Sequence, residues 1–160
     1  MIKDLAKPGD ILLYRVTSKS GWISKLIASV QLWRSEGDEG PQYSHCAIVD
    51  MDRIHMVEAY WPRVRRVQID WSVAGLELWR VQQSNDTQAT FTVGWVRAKV
   101  GLPYDLGHAF FGLFDFKHAE KCTSLVTGPW KAHGRDLMAK AGKFLGPTEL
   151  AESPQLRRLG

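Results

Sequence analysis

A histidine, a glutamate and a cysteine in this chain have the types and settings that thiol chemistry requires. His45 and Glu58 fall in Ser44-His45-Cys46-Ala47-Ile48-Val49-Asp50 and Arg53-Ile54-His55-Met56-Val57-Glu58-Ala59, two largely apolar runs of strand length with a short break between them. A two-residue turn at Met51-Asp52 pairs Asp50 with Arg53 and sets His45 directly across from Glu58. Partners so placed have Cβ atoms about 4.5–5.5 Å apart on one face of a sheet. A four-residue loop from Asp50 to Arg53 keeps that pairing, whereas a three-residue loop sets Cys46 across from Glu58 and breaks it. A histidine acting as general base offers one ring nitrogen to the nucleophile and fixes its tautomer through the other. A carboxylate on that second nitrogen orients the ring and stabilises the imidazolium. An ordinary polar pair on a solvated face fits the same spacing. His55 falls on the opposite face from Glu58 and reads as a surface residue.

The nucleophile candidate is Cys122, in Lys121-Cys122-Thr123-Ser124-Leu125-Val126, where polar residues give way to apolar ones and a helix can start. A cysteine at a helix N-terminus feels the positive end of the dipole, which favours its thiolate. The first-turn N–H groups are left over by the helix and suit the oxyanion of a tetrahedral intermediate. The competing reading is a buried structural thiol. Cys46, among Ala47, Ile48 and Val49, fits that reading better than Cys122 does. The histidines His45, His55, His108, His118 and His133 form no close-spaced ligand pair with the two cysteines. His118 and Cys122 are a helical pair only if the helix begins earlier. No metal and no cofactor are expected.

These residues need elements to hold them. Pro8-Gly9-Asp10 is a turn that launches a strand, Ile11 to Val16. Ile23, Leu26, Ile27 and Val30 recur at helical spacing, so a helix is expected from Gly21 to about Arg34. A polar loop, Ser35 to Pro41, follows and sits where a lid or a plain surface loop would. Strands are expected over Tyr43 to Asp50 and Ile54 to Tyr60, around Val64, Val67 and Ile69, and over Leu76 to Gln82. Thr87 is placed to cap a helix reaching about Val100, with stop signals at Gly101 and Pro103. Leu106 to Phe116 is ambiguous between strand and helix. A short helix begins near Cys122 and is expected to end before Gly128-Pro129, and a modest one surrounds Arg135 to Lys140. Strands flanked by helices, without alternating βαβ units or a phosphate loop, predict one α+β domain over residues 1–160 with an antiparallel sheet.

Taken in order, these segments resemble the permuted papain-like cysteine amidases, the YiiX type of the NlpC-like superfamily, whose relatives include lecithin-retinol acyltransferase. Pro8-Gly9-Asp10-Ile11-Leu12 is similar to the family's opening strand, Tyr43-Ser44-His45 to its histidine strand, and Val57-Glu58-Ala59 to its acidic strand. Gly101-Leu102-Pro103-Tyr104-Asp105 is similar to the segment before the last part of its core. Lys121 to Val126 resembles the nucleophile helix, with Thr123 where the family often has Ser, and Gly146 to Pro154 resembles its tail. The resemblance covers residues 8 to 154. It implies a circularly permuted papain-like fold, an antiparallel sheet or barrel packed on helices, with Cys122 as nucleophile, His45 as base and Glu58 as orienting acid. Tyr104 would then lie near the substrate.

It also implies acyl transfer from an amide, with a peptide bond in peptidoglycan as the leading substrate and a lipid acyl chain as the alternative. Phe110, Phe111, Phe114 and Phe116 would line a lipid pocket or fill a core; Trp22, Trp33, Trp61 and Trp71 would stack on sugars or pack a sheet. A non-catalytic binding module on the same fold is the rival from another class. The composition, 44% hydrophobic and 24% charged, is globular. The net charge of +4 is scattered rather than clustered, which biases the surface mildly toward anions but offers no basic helix for a nucleic acid. Two cysteines make no disulfide scaffold. The N-terminus lacks a signal-peptide run and no segment reaches about 18 apolar residues, so no transmembrane segment is expected. Cytoplasmic residence at synthesis is the expectation, with export by another route left open. Oligomeric state is not encoded in any of these features.

Overall fold

The computed structural model of the chain describes residues 2–18, 42–104, 121–138 and 146–159. Its described elements run α1 (Ile2–Leu5), β1 (Ile11–Arg15), β2 (Tyr43–Val49), β3 (His55–Tyr60), β4 (Arg63–Gln68), β5 (Leu76–Val81), α2 (Asp86–Arg97), α3 (Cys122–Ala132), α4 (Pro147–Ala151) and β6 (Leu156–Arg158). The six strands form one antiparallel sheet in the order β4-β3-β2-β1-β5-β6. The α+β class and the antiparallel sheet are as the residues predict.

Both faces of the sheet centre are covered, which is why β1 and β2 are apolar without clean alternation. On one face Ile11, Leu13, Cys46, Ile48, Val57, Ala59 and Val64 meet Val93 and Val96 of α2, Leu125, Val126 and Trp130 of α3, and Leu150 of α4. On the other, Leu12, Ala47, Val49, Met56 and Leu78 are closed over by Ala6 and Ile69. The helix-covered face holds the larger core, and α3 carries Cys122 onto it.

Several boundaries differ from the sequence reading. The β2–β3 connection runs over five residues, Asp50 to Ile54, and is not a two-residue turn. Asp50 N–H donates to the His55 carbonyl at 2.9 Å, and Arg53 takes φ 59°. The Asp52 carboxylate accepts from the N–H groups of Ile54 and His55 at 3.0 and 2.9 Å, which stabilises this loop. Helix α2 is capped by Asn85 rather than Thr87: Gln88 N–H donates to Asn85 Oδ1 at 2.9 Å, and Asn85 N–H to Gln88 Oε1 at 3.3 Å. It stops at Arg97, three residues short of Val100.

Helix α3 does not end before Gly128-Pro129 but continues through Pro129 to Ala132. Proline costs one hydrogen bond there, and burial of Leu125, Val126 and Trp130 outweighs the loss. Residues 135–138 are irregular chain and turn rather than helix. Arg135 instead donates to the carbonyls of Gln82 and Gln83. The remainder of that expected helix, the helix from Gly21 to Arg34, the loop after it and the aromatic stretch from Leu106 to Phe116 lie outside the described residues. With them go Trp22, Trp33, His108, His118, Phe110, Phe111, Phe114 and Phe116.

Candidate active site

The β2–β3 ladder pairs Ala47 with Glu58, Ile48 with Val57 and Val49 with Met56. Direct opposition of His45 and Glu58 is therefore overturned: Glu58 faces Ala47, and His45 lies on the diagonal. A slip of two residues leaves both side chains on the same face, whereas a slip of one would have parted them. Diagonal neighbours stand about 7–8 Å apart, which long side chains bridge. His45 Nε2 meets Glu58 Oε2 at 2.6 Å.

Beyond Ala47 the ladder ends although both strands continue, so β2 and β3 part at His45 and Cys46. On the other side of β2 the register with β1 jumps between Tyr14↔His45 and Arg15↔Tyr43, leaving Ser44 as an extra residue. Such bulges re-aim the neighbouring side chain. Cys122, the first residue of α3 after the cap Lys121, is 7% exposed, and its sulfur hydrogen-bonds the His45 imidazole. With Nε2 taken by Glu58, Nδ1 is the nitrogen left for the sulfur.

The structure thus brings Cys122, His45 and Glu58 into one hydrogen-bonded row. Tyr104 is half-buried against the cluster that contains Cys122, its N–H donating to the Pro62 carbonyl at 3.0 Å. His55 stays apart, on Asp52 at 2.7 Å.

Two further residues adjoin the row; the sequence reading passed over Arg65 and read Cys46 as a buried structural thiol. Arg65, opposite Glu58 on β4, places Nε 2.8 Å and a terminal nitrogen 2.7 Å from Glu58 Oε1. Its guanidinium also stacks on Tyr60 at 4.3 Å, and Tyr60 meets His45 edge-on at 5.7 Å. The signal was available: Arg63 and Arg65 alternate on the edge strand next to the glutamate. Cys46, taken as inert core, hydrogen-bonds Cys122 through its thiol and its backbone N–H. Its position immediately after the histidine was the only hint.

These contacts set the protonation states. Burial drags the His45 pKa down, but hydrogen bonds and charges from Cys122 and Glu58 prevail and lift it to about 9. The Cys46 hydrogen bond, working against burial and joined by His45, holds the Cys122 thiol well below its usual range. Burial pushes Glu58 up, and His45 and Arg65 more than compensate, keeping it ionised. The shifts run toward thiolate at Cys122, imidazolium at His45 and carboxylate at Glu58, with the Arg65 guanidinium against the last. Cys122's own N–H, at the first helical position, adds an amide dipole beside the sulfur.

A mixed α+β fold with an antiparallel sheet, in which a helix begins with a cysteine beside a histidine strand, is the arrangement that results. Among solved structures, the metalloprotein YiiX from Escherichia coli O157:H7, a DUF1105 protein, is similar at TM-score 0.65, covering 96% of each chain at 18% identity. At that identity the likeness is one of fold. No protein-family model matches the chain, and no curated protein does. That neighbour is described as a metalloprotein; among the described residues of this chain, no three His, Cys, Asp or Glu side chains are grouped so as to hold a metal ion. Also among the described residues, no helix is long and apolar enough to cross a membrane.

Proposed function

We propose that this protein is a cysteine hydrolase of the permuted papain-like kind that cleaves an amide through a thioester. The observation that carries the proposal is the hydrogen-bonded row Cys122–His45–Glu58, with its thiol lowered and its imidazole raised in pKa. The Cys122 thiolate adds to the carbonyl carbon, and the oxygen takes up the negative charge beside the Cys122 N–H. The His45 imidazolium gives its proton to the departing amine as the carbon–nitrogen bond breaks, leaving a thioester. His45, now neutral, takes a proton from water, whose oxygen adds to the thioester. Collapse frees the acid and regenerates the ion pair. Glu58 keeps the ring in place throughout.

Peptidoglycan peptides are the proposed substrates, with Tyr104 at the edge of their site. Incubating wild type and Cys122→Ala with cell-wall fragments and, separately, with phospholipids, and reading products by mass spectrometry, tests this. Expected is cleavage of peptide material by wild type alone. Lipid products would move the protein to the acyltransferase side of the superfamily. Equal turnover by Cys122→Ala would end the proposal, and no turnover together with a Cys122 inert to iodoacetamide at neutral pH would mark a binding module.

A further inference from the structure

Tyr14 is a half-buried ring beside the site that the mechanism above leaves unused. On β1 it is the ladder partner of His45, the last pair before the register jumps past Ser44. Partners so placed share one face of the sheet. The two rings lie 5.4 Å apart at 45°, and Tyr60 meets the imidazole from β3 at 5.7 Å and 86°. Four neighbouring strands thus line one face with Arg65, then Tyr60 and Glu58, then His45, then Tyr14. The Tyr14 hydroxyl donates to the Met56 thioether at 3.1 Å, which ties the ring across β2 to β3. Burial first, and then the charge of Glu58, push the pKa of this hydroxyl up, so it stays a neutral donor and moves no proton in the reaction.

We propose that Tyr14 is a positioning residue whose ring, with that of Tyr60, holds the His45 imidazole in line once the Cys122 sulfur has bonded to the substrate. The proposal rests on the thioester mechanism above. In that mechanism the sulfur gives up its contact with the imidazole when it adds to the carbonyl carbon. From then until the thioester is hydrolysed, the only hydrogen bond left to the ring is the one from Nε2 to Glu58, at 2.6 Å. One hydrogen bond fixes a point on the imidazole but not the turn of its plane about that line. Rings packed at two different inclinations bar the turn, because a large rotation drives the imidazole into one of them. The steps that need this aim are proton delivery to the departing amine and proton removal from water.

The test has two arms. In the first, turnover of cell-wall fragments and alkylation of Cys122 by iodoacetamide are compared in wild type, Tyr14→Leu, Tyr14→Phe and Tyr60→Leu, with the melting temperature of each. Both Leu variants should lose roughly tenfold in turnover, while alkylation, which delivers no proton to a leaving group, changes less than about twofold. Tyr14→Phe keeps the ring and should recover most of the loss. Tyr60 is 44% exposed, so leucine there leaves no cavity and keeps the test open should Tyr14→Leu fail to fold. Unchanged turnover in the Leu variants, or turnover and alkylation falling together with the melting temperature, overturns the proposal. In the second arm the His45 ring protons are followed by NMR in Cys122→Ala, where the sulfur is absent, with and without Tyr14→Leu. One sharp set of signals that broadens or doubles when the Tyr14 ring is removed is the expected result, and a set that stays sharp overturns the clamp. A wild type inactive on cell-wall fragments ends the thioester reading instead, and the NMR arm then decides by itself whether Tyr14 holds the imidazole.

Discussion

Glu58 sits between two cations and is only 4% exposed, so its charge is maintained by what it touches rather than by water. His45 takes one oxygen and Arg65 the other, which leaves the carboxylate no freedom to swing. Arg65 is thereby a positioning residue that acts on the imidazole through Glu58. Its side chain is 44% exposed, so solvent screens part of the coupling and the effect of losing it is moderate. Arg65→Met should lower kcat about tenfold, or ~1.4 kcal/mol in the barrier, with KM changing much less. Arg65→Lys keeps the charge but not the double contact or the stacking on Tyr60, and should recover only part of the loss. Steady-state kinetics on a cleavable amide would check both. An unchanged kcat in Arg65→Met would show that His45 alone fixes the glutamate.

The position of Cys122 depends on how α3 lies against the sheet, and Gly128 sets that seat. A Cβ at Gly128 would come within 2.6 Å of Trp95 Cη2 on α2, a ring also covered by Lys99 at 4.1 Å. Alanine is favoured over glycine inside a helix by about 1 kcal/mol, but a clash with a packed ring costs about 1–3 kcal/mol. Gly128→Ala should therefore lower the melting temperature and slow Cys122 alkylation as α3 tilts; a more stable variant would mean that Trp95 moves aside freely. At this scale the sequence was partly legible. Period-two patterning placed β2 and β3 and put His45 and Glu58 on one face, and that face survived because the real register differs by two residues. The loop itself was not legible, since Arg53 adopts a left-handed backbone with no glycine to announce it. The extension of α3 through Pro129 and the choice of Asn85 over Thr87 as cap were decided by tertiary burial and by Gln88, which outweigh local propensity. Cys46 is buried in the core, as its apolar neighbours predict.

Across the whole molecule, buried carboxylates tie the layers together. Asp50, at the end of β2 and fully buried, binds Arg97 of α2 and Arg66 of β4; burial raises its pKa, and these two arginines lower it further than burial lifts it. Asp50 and Glu58 thus contribute stability that is complete above the ordinary carboxylate range and is lost as pH falls through it. The Cys122–His45 pair adds a less usual dependence. His45, raised from 6.5 to about 9, contributes stability that is complete below 6.5 and lost as pH rises through about 9. Cys122, lowered from an ordinary 9.0, contributes stability that is complete above 9.0 and lost as pH falls through its folded value. Wherever both shifts are in force, the folded chain has gained a proton on nitrogen and given one up from sulfur, so the two slopes cancel. Stability should climb from acid to about pH 6.5 and then stay level to about pH 9, which urea midpoints measured at a series of pH values would trace. In Cys122→Ser the cancelling slope is gone, and the curve should fall from about pH 6.5 upward, as far as Glu58 alone still raises the His45 pKa. A wild-type curve that declined steadily above pH 6.5 would mean that the imidazole keeps its proton without taking it from the sulfur, and that the resting pair is not an ion pair.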